Sequence, residues 1–511
     1  MNENTLYSEV IFSKTGIEIP VFYDGKTVDS RYDPERESLR LVQQIKNDSH
    51  FLIVTGIASG VLIKTILNNK KASFVLAVEK TQEDIEFLKR LTLVKELSNE
   101  KRVFFCTVDQ LKDKIIELYV PAFYGSLEVI EQRGWTLENT DLIEQINKSI
   151  SMSTGIVSAD FSVQSHFGKL WQHNILNNIK HIEKSQTIEI NPDDKTALIV
   201  AAGPTLDKTI RTIIKNISKY YIIATDTALS ILSSYKIIPQ AVISIDGQNV
   251  SNIHFIHNEE SKNSQTLFLF DLCANSSAVN LVIKNQNKFC FFTSGHPLSE
   301  YINRHFSLEL PSLFSGAGTV TISAVDFAVK AGFKNIQIAG ADFSYSDGKP
   351  YAKGTYLDRL YNHKSNKFNS IQKQFSALEY RTELINKGNA FTTQILEAYR
   401  TSFENYLQNT GCSFYKENDI YIVSNNQKKL YDFNNINKKN ITGMQILKEL
   451  KDIFCSKNPD KSFNSIFDLT ESDISLLPLI SWLRNNDNKE RSDFSYFYDK
   501  ALLTYRGLGG N

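Results

Sequence analysis

Five short apolar segments recur between residues 197 and 296, and each runs into small or polar residues at its end. Segments of this length, separated by stretches with helical periodicity, predict the buried strands of an open parallel α/β sheet. In such a sheet the carboxyl ends of the strands line one crevice, where ligands bind. The segments are ALIVAAGPTLD (197–207), YYIIATDTAL (220–229), AVISIDGQN (241–249), LFLFDLCANSS (267–277) and KFCFFTSGH (288–296).

The polar residues at these strand ends are candidate ligand-binding residues. A single Asp after a strand is more often a helix cap. Its recurrence after successive strands favours a shared ligand-binding crevice. The candidates are Thr225, Asp226, Thr227, Asp246, Gln248 and Ser294.

A glycine-containing turn joins the first of these strands to a helix. Gly203, Pro204 and Thr205 lie between the strand and apolar residues at helical spacing. Free backbone N–H groups at a helix start attract an anion, and Gly203 would let a phosphate approach the backbone. Thr205 could cap the helix and donate its hydroxyl. The turn predicts a phosphate site, with an ordinary strand–turn–helix connection as the alternative.

A second turn of small residues precedes another helix further along the chain. Ser315, Gly316, Ala317, Gly318 and Thr319 form it, and the helix that follows has an apolar face. We expect this turn to contribute to the same site.

The strand after that helix, NIQIAG, leads directly to Asp342. A polar segment rich in tyrosine follows, too hydrophilic for a core. It predicts a lid at about 343–380.

The N-terminal part has a similar but weaker pattern. HFLIVTGIASGVLIKTILNN (50–69) predicts strand, turn and helix, and the next strand ends in Glu79. A glycine turn followed by an acid is the layout of a Rossmann-like unit, in which the acid binds a ribose. Gly56 and Gly60 alone do not complete the glycine pattern, so a purely structural domain remains an open alternative.

We therefore predict an α/β protein with two Rossmann-like domains and a small helical C-terminal region. The N-terminal domain covers 1–160, the central doubly wound domain covers 161–428, and the helical region covers 429–511. The apolar residues of FGKLWQHNILNNIKHIEKS (167–185) have helical spacing, which predicts a docking helix at the domain junction.

Composition excludes several classes of function. Lys+Arg and Asp+Glu are equal at 57 each, so no global field attracts nucleic acid or an anionic membrane. The five cysteines are scattered, which fits neither a disulfide framework nor a zinc site. The N-terminus resembles no signal peptide, and no apolar run is long enough to cross a bilayer. We expect a cytoplasmic protein without membrane insertion.

Taken as a set, the central motifs resemble one known family. AAGPTLD, ATDTALSIL, VISIDGQ, SGAGTVTISAVDFAVKAGF and GADFSYSDGKPYAKGTY look like the MAF (motility-associated factor) flagellin glycosyltransferases. That family shares a domain type with hydroxymethylpterin diphosphokinases and is similar to bacterial sialyltransferases. The match covers most of 165–370.

The resemblance implies transfer of a nonulosonic acid, of pseudaminic or legionaminic type, from a CMP-linked donor to Ser or Thr of flagellin. It implies no required metal or other cofactor. The sialyltransferase pattern Gly-x-Asp-Phe-Tyr…Tyr-Ala is matched here by Gly340, Asp342 and Tyr351, with Tyr345 one place late. Transfer also needs a general base, for which His is the usual choice. His363 is the expected base because it is the one histidine downstream of the Asp342 motif, and His254, His257, His296 and His305 are weaker candidates.

Two alternatives remain open at this stage. One is a pterin diphosphokinase-like enzyme that uses Mg²⁺ and ATP, with Asp226 and Asp246 as cation ligands. The other is a binding or scaffold protein with a decayed site, because the turn has Ala201 where the sialyltransferases have their first glycine.

Overall fold

The computed structural model divides the chain into two compact units. The first comprises Met1–Lys169 and Leu450–Asn511, and the second comprises Leu170–Glu449. The residues described are 5–70, 73–188, 190, 192, 195–256, 265–316, 318–346, 348–388, 390–426, 433, 441–458, 463–487 and 493–506.

The strands form a separate set of sheets in each unit. In chain order they are β1 (Tyr7–Phe12), β2 (Glu18–Phe22), β3 (Ser49–Thr55), β4 (Phe74–Glu79), β5 (Val103–Thr107), β6 (Ser126–Glu131), β7 (Thr196–Val200), β8 (Tyr220–Thr225), β9 (Ala241–Ser244), β10 (Leu267–Asp271), β11 (Lys288–Phe292), β12 (Asn335–Ala339), β13 (Tyr345–Ser346), β14 (Ile385–Asn386), β15 (Ala390–Thr392), β16 (Ser413–Glu417) and β17 (Ile420–Ser424).

Helices connect these strands and make up the C-terminal region. They are α1 (Pro34–Val42), α2 (Val61–Asn69), α3 (Gln82–Leu88), α4 (Thr92–Leu97), α5 (Leu111–Leu118), α6 (Pro121–Tyr124), α7 (Arg133–Glu138), α8 (Thr140–Asn178), α9 (Leu206–Lys215), α10 (Asp226–Ser234), α11 (Ile253–Ile256), α12 (Ser276–Lys284), α13 (Pro297–His305), α14 (Val320–Lys330), α15 (Tyr356–Lys364), α16 (Ile371–Glu379), α17 (Gln394–Asn409), α18 (Gly443–Cys455), α19 (Glu471–Ile474), α20 (Leu477–Asn486) and α21 (Phe494–Arg506).

The first unit contains the predicted Rossmann-like sheet. Its four strands are parallel, in the order β5-β4-β3-β6, so the strand before the glycine turn is central. This is the 3-2-1-4 strand order of the dinucleotide-binding folds. β1 and β2 pair separately as an antiparallel hairpin.

The second unit is built on an eight-stranded sheet in the order β11-β10-β9-β8-β7-β12-β17-β16. The first six strands are parallel, and all five segments that the sequence singled out lie among them. β17 and β16 extend one edge in antiparallel orientation. These strands are nearly continuous apolar runs. Helices cover both faces of a parallel sheet, so the side chains on both faces of each strand are buried. The α/β fold class is therefore confirmed.

The order of this sheet reverses between β7 and β12. Such a switch point leaves a crevice at the carboxyl ends of the two strands, where ligands bind in open α/β sheets. α14 leads into the amino end of β12, so α14 begins at the carboxyl edge of the sheet. It packs against β7, β8 and β9. A ligand site is therefore expected along the carboxyl ends of β7–β9 and β12.

The domain division differs from the sequence expectation in two respects. The boundary predicted at 160 falls inside α8, whose 39 residues run from Thr140 to Asn178. The helical C-terminal residues from 450 onward group with the first unit and form no third one. Residue 429 lies outside the described residues. Among the described helices, none is long and apolar enough to cross a membrane.

Candidate functional site

The switch point between β7 and β12 is closed by hydrogen bonds between its two loops. The Gly203 amide donates to the Gly340 carbonyl (2.8 Å), and the Thr205 amide donates to Oδ2 of Asp342 (2.8 Å). The Thr205 hydroxyl donates to the other oxygen of the same carboxylate. Pro204 has no N–H to offer. In this structure the amides of Gly203 and Thr205 therefore have acceptors within the protein, and Asp342 lies where the sequence placed a phosphate. Phosphate binding at 203–205 stays a prediction.

Asp342 is thus a structural partner of the turn in this structure. It lies at the start of α9, where a negative charge is stabilised by the helix dipole. Burial raises the pKa of its carboxyl group, and the hydrogen bonds from Thr205 oppose that rise. A Cβ at Gly203 would lie only 2.5 Å from the Gly340 carbonyl oxygen. The glycine is needed for contact between the two loops.

The segment that follows Asp342 is fastened to the same region. The Ala352 amide donates to the Ala202 carbonyl (2.9 Å), and the Lys353 amide donates to Oδ1 of Asp207 (2.9 Å). The Ser230 hydroxyl donates to the Gly354 carbonyl (2.9 Å). Residues 352–354 of the lid predicted at 343–380 are therefore bound to the start of α9 and to the middle of α10.

The acids after β8 and β9 lie side by side and are hydrogen-bonded locally. Asp226 is buried and accepts from the Thr227 amide (2.6 Å), the Thr227 hydroxyl (3.0 Å) and the Ser244 hydroxyl (2.7 Å). Asp246 accepts from the Gln248 amide (2.9 Å). Burial raises the pKa of Asp246, and the charge of Asp226 raises it further.

The remaining strand-end candidates are placed less centrally. Thr225 is buried and its hydroxyl donates to the Val200 carbonyl (3.4 Å), while Gln248 is exposed. Ser294 is half-buried beside Asp271, a fully buried carboxyl group whose pKa burial raises to about 6.

Four tyrosines lie near one another, and three of them lie near Asp226 or Asp246: Tyr345, Tyr351, Tyr356 and Tyr399. We call them the tyrosine cluster. Burial raises the pKa of Tyr351 to about 12, and the neighbouring Tyr356, Tyr345, Asp226 and Tyr399 raise it further. Burial raises the pKa of the other three as well, and Asp246 adds to the rise at Tyr356 and Tyr399.

The cluster presents hydroxyl groups without protein partners. All four side chains are partly exposed, and none of their hydroxyls makes a hydrogen bond within the described part of the chain. With raised pKa values they remain protonated at neutral pH and can donate. Tyr399 was absent from the sequence prediction because it lies on α17, 48 residues beyond Tyr351, with no motif around it.

Of the histidines proposed as general base, His254 lies nearer to the tyrosine cluster than the predicted His363. His363 is exposed in the last turn of α15, seven residues after Tyr356, or about 10 Å along the helix axis. His254 is buried, and its ring packs edge-on against Tyr356 with centroids 4.9 Å apart. His254 also lies close enough to Asp246 to influence the pKa of that carboxyl group. The base role of His363 remains a prediction, whereas His254 contacts the cluster.

The other histidines lie elsewhere. His296 caps α13 by accepting from the Leu298 amide (3.1 Å), and burial lowers its pKa to about 3. His305 pairs with Glu449 at 3.0 Å. His257 lies outside the described residues.

The second glycine turn, before α14, provides no acceptor for the first backbone amides of that helix. Gly316 and Gly318 both have positive φ, and the amides of Gly318 and Thr319 donate to the Ser315 carbonyl (3.1 and 3.2 Å). The Thr319 side chain makes no capping hydrogen bond. Within the described part of the chain, the amides of Val320 and Thr321 have no acceptor. This helix start retains the unpaired N–H groups that the 203–205 turn lacks.

Packing on α17 links this helix start to the tyrosine cluster. A Cβ at Gly316 would come within 2.9 Å of the Ser402 hydroxyl, so the turn lies directly on α17. Tyr399 is three residues earlier on α17, on the same face. Open amides, tyrosine hydroxyls and two carboxylates therefore gather at the carboxyl edge of the sheet.

The Rossmann-like crevice of the first unit is filled by its own side chains. Glu79, at the ribose position, is fully buried and accepts from the Ile57 amide (2.8 Å), Nε1 of Trp135 (2.9 Å) and the Tyr7 hydroxyl (3.1 Å). Asp29 accepts from the Ser59 amide (2.9 Å) in the turn before α2. Burial raises the pKa values of Glu79 and Asp29 to about 7 and about 6. In dinucleotide-binding proteins the turn amides and the acid at the end of the second strand bind the ligand. In this chain the Ile57 and Ser59 amides and the Glu79 carboxylate are hydrogen-bonded to the protein itself.

The arrangement of side chains around Asp226 and Asp246 bears on the Mg²⁺ site considered for the alternative function. Among the described residues, no group of three His, Cys, Asp or Glu side chains could hold a metal ion. Asp226, one of the two acids considered for Mg²⁺, has both oxygens hydrogen-bonded to its neighbours.

Comparisons with known proteins agree with this description. Residues 173–348 match the family described as 6-hydroxymethylpterin diphosphokinase MptE-like. The structure of the MAf glycosyltransferase from Magnetospirillum magneticum AMB-1 superposes with a TM-score of 0.55 at 12% identity, over 98% of this chain and 85% of that one. The fold and the matched domain define an α/β protein with an MptE-like central domain and the MAf fold. The resemblance to these proteins is thus confirmed.

Two proteins of Treponema pallidum (strain Nichols), both named "Uncharacterized protein", are closer in sequence. One is 37% identical over 145 residues, which is 28% of this chain and 51% of that protein. The other is 33% identical over 156 residues, or 30% of this chain and 74% of that protein. The chain thus matches about half of the first protein's length. It belongs to the same family as the second.

Proposed function

We propose that the chain is a glycosyltransferase whose donor is a CMP-linked nonulosonic acid of pseudaminic or legionaminic type. The observation that supports this most is the pairing of open amides at the start of α14 with the unpartnered hydroxyls of the tyrosine cluster. Both supply hydrogen-bond donors near the carboxyl edge of the sheet, where they suit a phosphate diester. The MAf fold and the central motifs agree with this reading.

The reaction breaks the bond between the anomeric carbon and the phosphate oxygen of the donor. The electron pair stays on the phosphate, so negative charge grows on CMP as the sugar departs. Donors already in place stabilise such charge without reorganisation. We assign this role to Tyr351, with the amides of Val320 and Thr321 holding the phosphate. The side chains of Tyr345, Tyr356 and Tyr399 line the donor site.

The acceptor oxygen forms the new bond to the anomeric carbon and loses its proton. A histidine is the usual proton acceptor, and His254 is better placed for this role than His363. On the strength of the MAF resemblance, we propose Ser or Thr of flagellin as the acceptor, in the cytoplasm. We also propose that transfer requires no metal ion, as the similarity to sialyltransferases implies.

Nucleotide titration by calorimetry tests the proposal. We expect CMP and CDP to bind equally well with Mg²⁺ and with a chelator, because protein amides and hydroxyls hold the phosphate. Cytidine should bind at least about tenfold more weakly, which corresponds to about 1.4 kcal/mol for the lost phosphate contacts. Binding restricted to ATP with Mg²⁺ would instead support a pterin diphosphokinase-like enzyme.

A further inference from the structure

Residues 356–388, which we call the basic insert, carry an unusual charge for this chain. They contain six basic residues and three acidic ones, whereas the whole chain is balanced. Of the acids, Asp358 accepts from the Gly354 amide and Glu379 is buried, which leaves Glu383 exposed. Lys364 and Lys367 are exposed and form no ion pair within the described part of the chain. The insert therefore presents net positive charge to solvent.

The same surface exposes large apolar side chains. Phe368 is 84% exposed and Tyr380 is 70% exposed, both within the basic insert. Phe391 and Ile395 follow at 43% and 57%. Apolar side chains gathered among charges on a monomer surface mark a site of protein association.

This surface continues into the tyrosine cluster. Phe391 on β15 pairs in register with Tyr345 on β13, and Tyr356 of the cluster is the first residue of α15. A polypeptide lying on the basic insert would therefore reach the mouth of the donor site without leaving the protein surface.

We propose that the basic insert is the docking surface for the acceptor protein and that it binds an acidic segment with exposed apolar side chains. The inference rests on the proposed transferase function, because the surface leads to the site where the acceptor hydroxyl must arrive. Charge complementarity selects an acidic partner. Exposed Phe368 and Tyr380 favour a polypeptide, which can bury them, over a fully hydrated polyanion.

The test compares two charge-reversal pairs. Lys364→Glu with Lys367→Glu alters the basic insert, and Lys284→Glu with Lys288→Glu alters exposed lysines at and after the end of α12. Binding of flagellin, purified from source cells that lack this gene, is measured by biolayer interferometry. Transfer kinetics with CMP-pseudaminic acid and calorimetric CMP affinity are measured in parallel.

We expect the 364/367 pair to weaken flagellin binding about tenfold or more and to raise the acceptor KM equally, since long-range charge attraction is lost. CMP affinity should stay within about twofold of the parent, and the 284/288 pair should match the parent throughout. Flagellin binding to the parent should also weaken with added salt.

Three results would overturn the inference. The first is unchanged flagellin binding in the 364/367 pair, or no flagellin binding by the parent. The second is an equal loss of CMP affinity, which would make the lysines structural. The third is charge-dependent binding of phosphatidylglycerol vesicles or RNA without any effect on flagellin. Charge-dependent flagellin binding without transfer would uphold docking and refute the transferase proposal alone.

Discussion

Tyr351→Phe should lower the turnover of sugar transfer by about 10²-fold while weakening CMP binding far less, by no more than about tenfold. The hydroxyl donates to phosphate charge that grows only as the glycosidic bond breaks, and loss of one such donor costs about 10²–10³ in kcat. The ring remains, so the packing of the tyrosine cluster is kept. Single-turnover kinetics with CMP-pseudaminic acid and calorimetry with CMP measure the two quantities.

Tyr235→Phe provides the matched control for this substitution. Tyr235 follows α10 and is 45% exposed, and its hydroxyl makes no hydrogen bond to any described residue, so loss of that hydroxyl should change neither quantity. Turnover of Tyr351→Phe equal to that of the parent would remove the hydroxyl from the mechanism. An equal fall in CMP affinity would mean that it binds the ground state as strongly as the transition state.

Gly203→Ala should lower the free energy of unfolding by about 1–3 kcal/mol, the usual cost of overpacking a filled site. The added methyl group would meet the Gly340 carbonyl oxygen and the Asp342 carboxylate, both held by hydrogen bonds. Neither can retreat without breaking the contact between the β7 and β12 loops. Chemical denaturation followed by circular dichroism measures the effect.

Gly155→Ala is the control for the glycine substitution. It lies inside α8 with nothing within 4 Å of an added Cβ. Alanine should therefore stabilise the helix by up to about 1 kcal/mol. If Gly203→Ala proved as stable as the parent, the closed switch point would be contradicted and the 203–205 turn would again be available to a ligand.

The sheet of the second unit was readable from sequence because each strand is a continuous apolar run. Burial on both faces by helices requires such runs in a parallel sheet, and the polar residues at their ends mark the crevice. β16 was missed because a strand at a sheet edge has mixed polarity, as in SFYKE. β17, IYIVS, lies between β12 and β16, and its short apolar run was not assigned to the sheet.

The closed turn at Gly203 could not be foreseen from local pattern. The local sequence of a glycine turn before a helix is the same whether the helix start binds a phosphate or a carboxylate of the same chain. The competing acceptor, Asp342, is 137 residues from Thr205. Only tertiary structure decides which anion occupies the helix start.

The same ambiguity applies to Glu79 in the first unit. Its position at the end of β4 matches that of a ribose-binding acid. Trp135, from a segment 56 residues away, donates to it and lies against Gly56. The sequence left a structural domain open as an alternative, and the filled crevice favours that alternative.

The central claim is that the donor phosphate lies between the start of α14 and the tyrosine cluster. A crystal structure of the protein with CMP tests it most directly. We predict phosphate oxygens within hydrogen-bonding distance of the Val320 and Thr321 amides and of the Tyr351 hydroxyl, with Asp342 still bound to Thr205. Nucleotide bound at the 203–205 turn or in the first unit, with the α14 start unoccupied, would contradict the account.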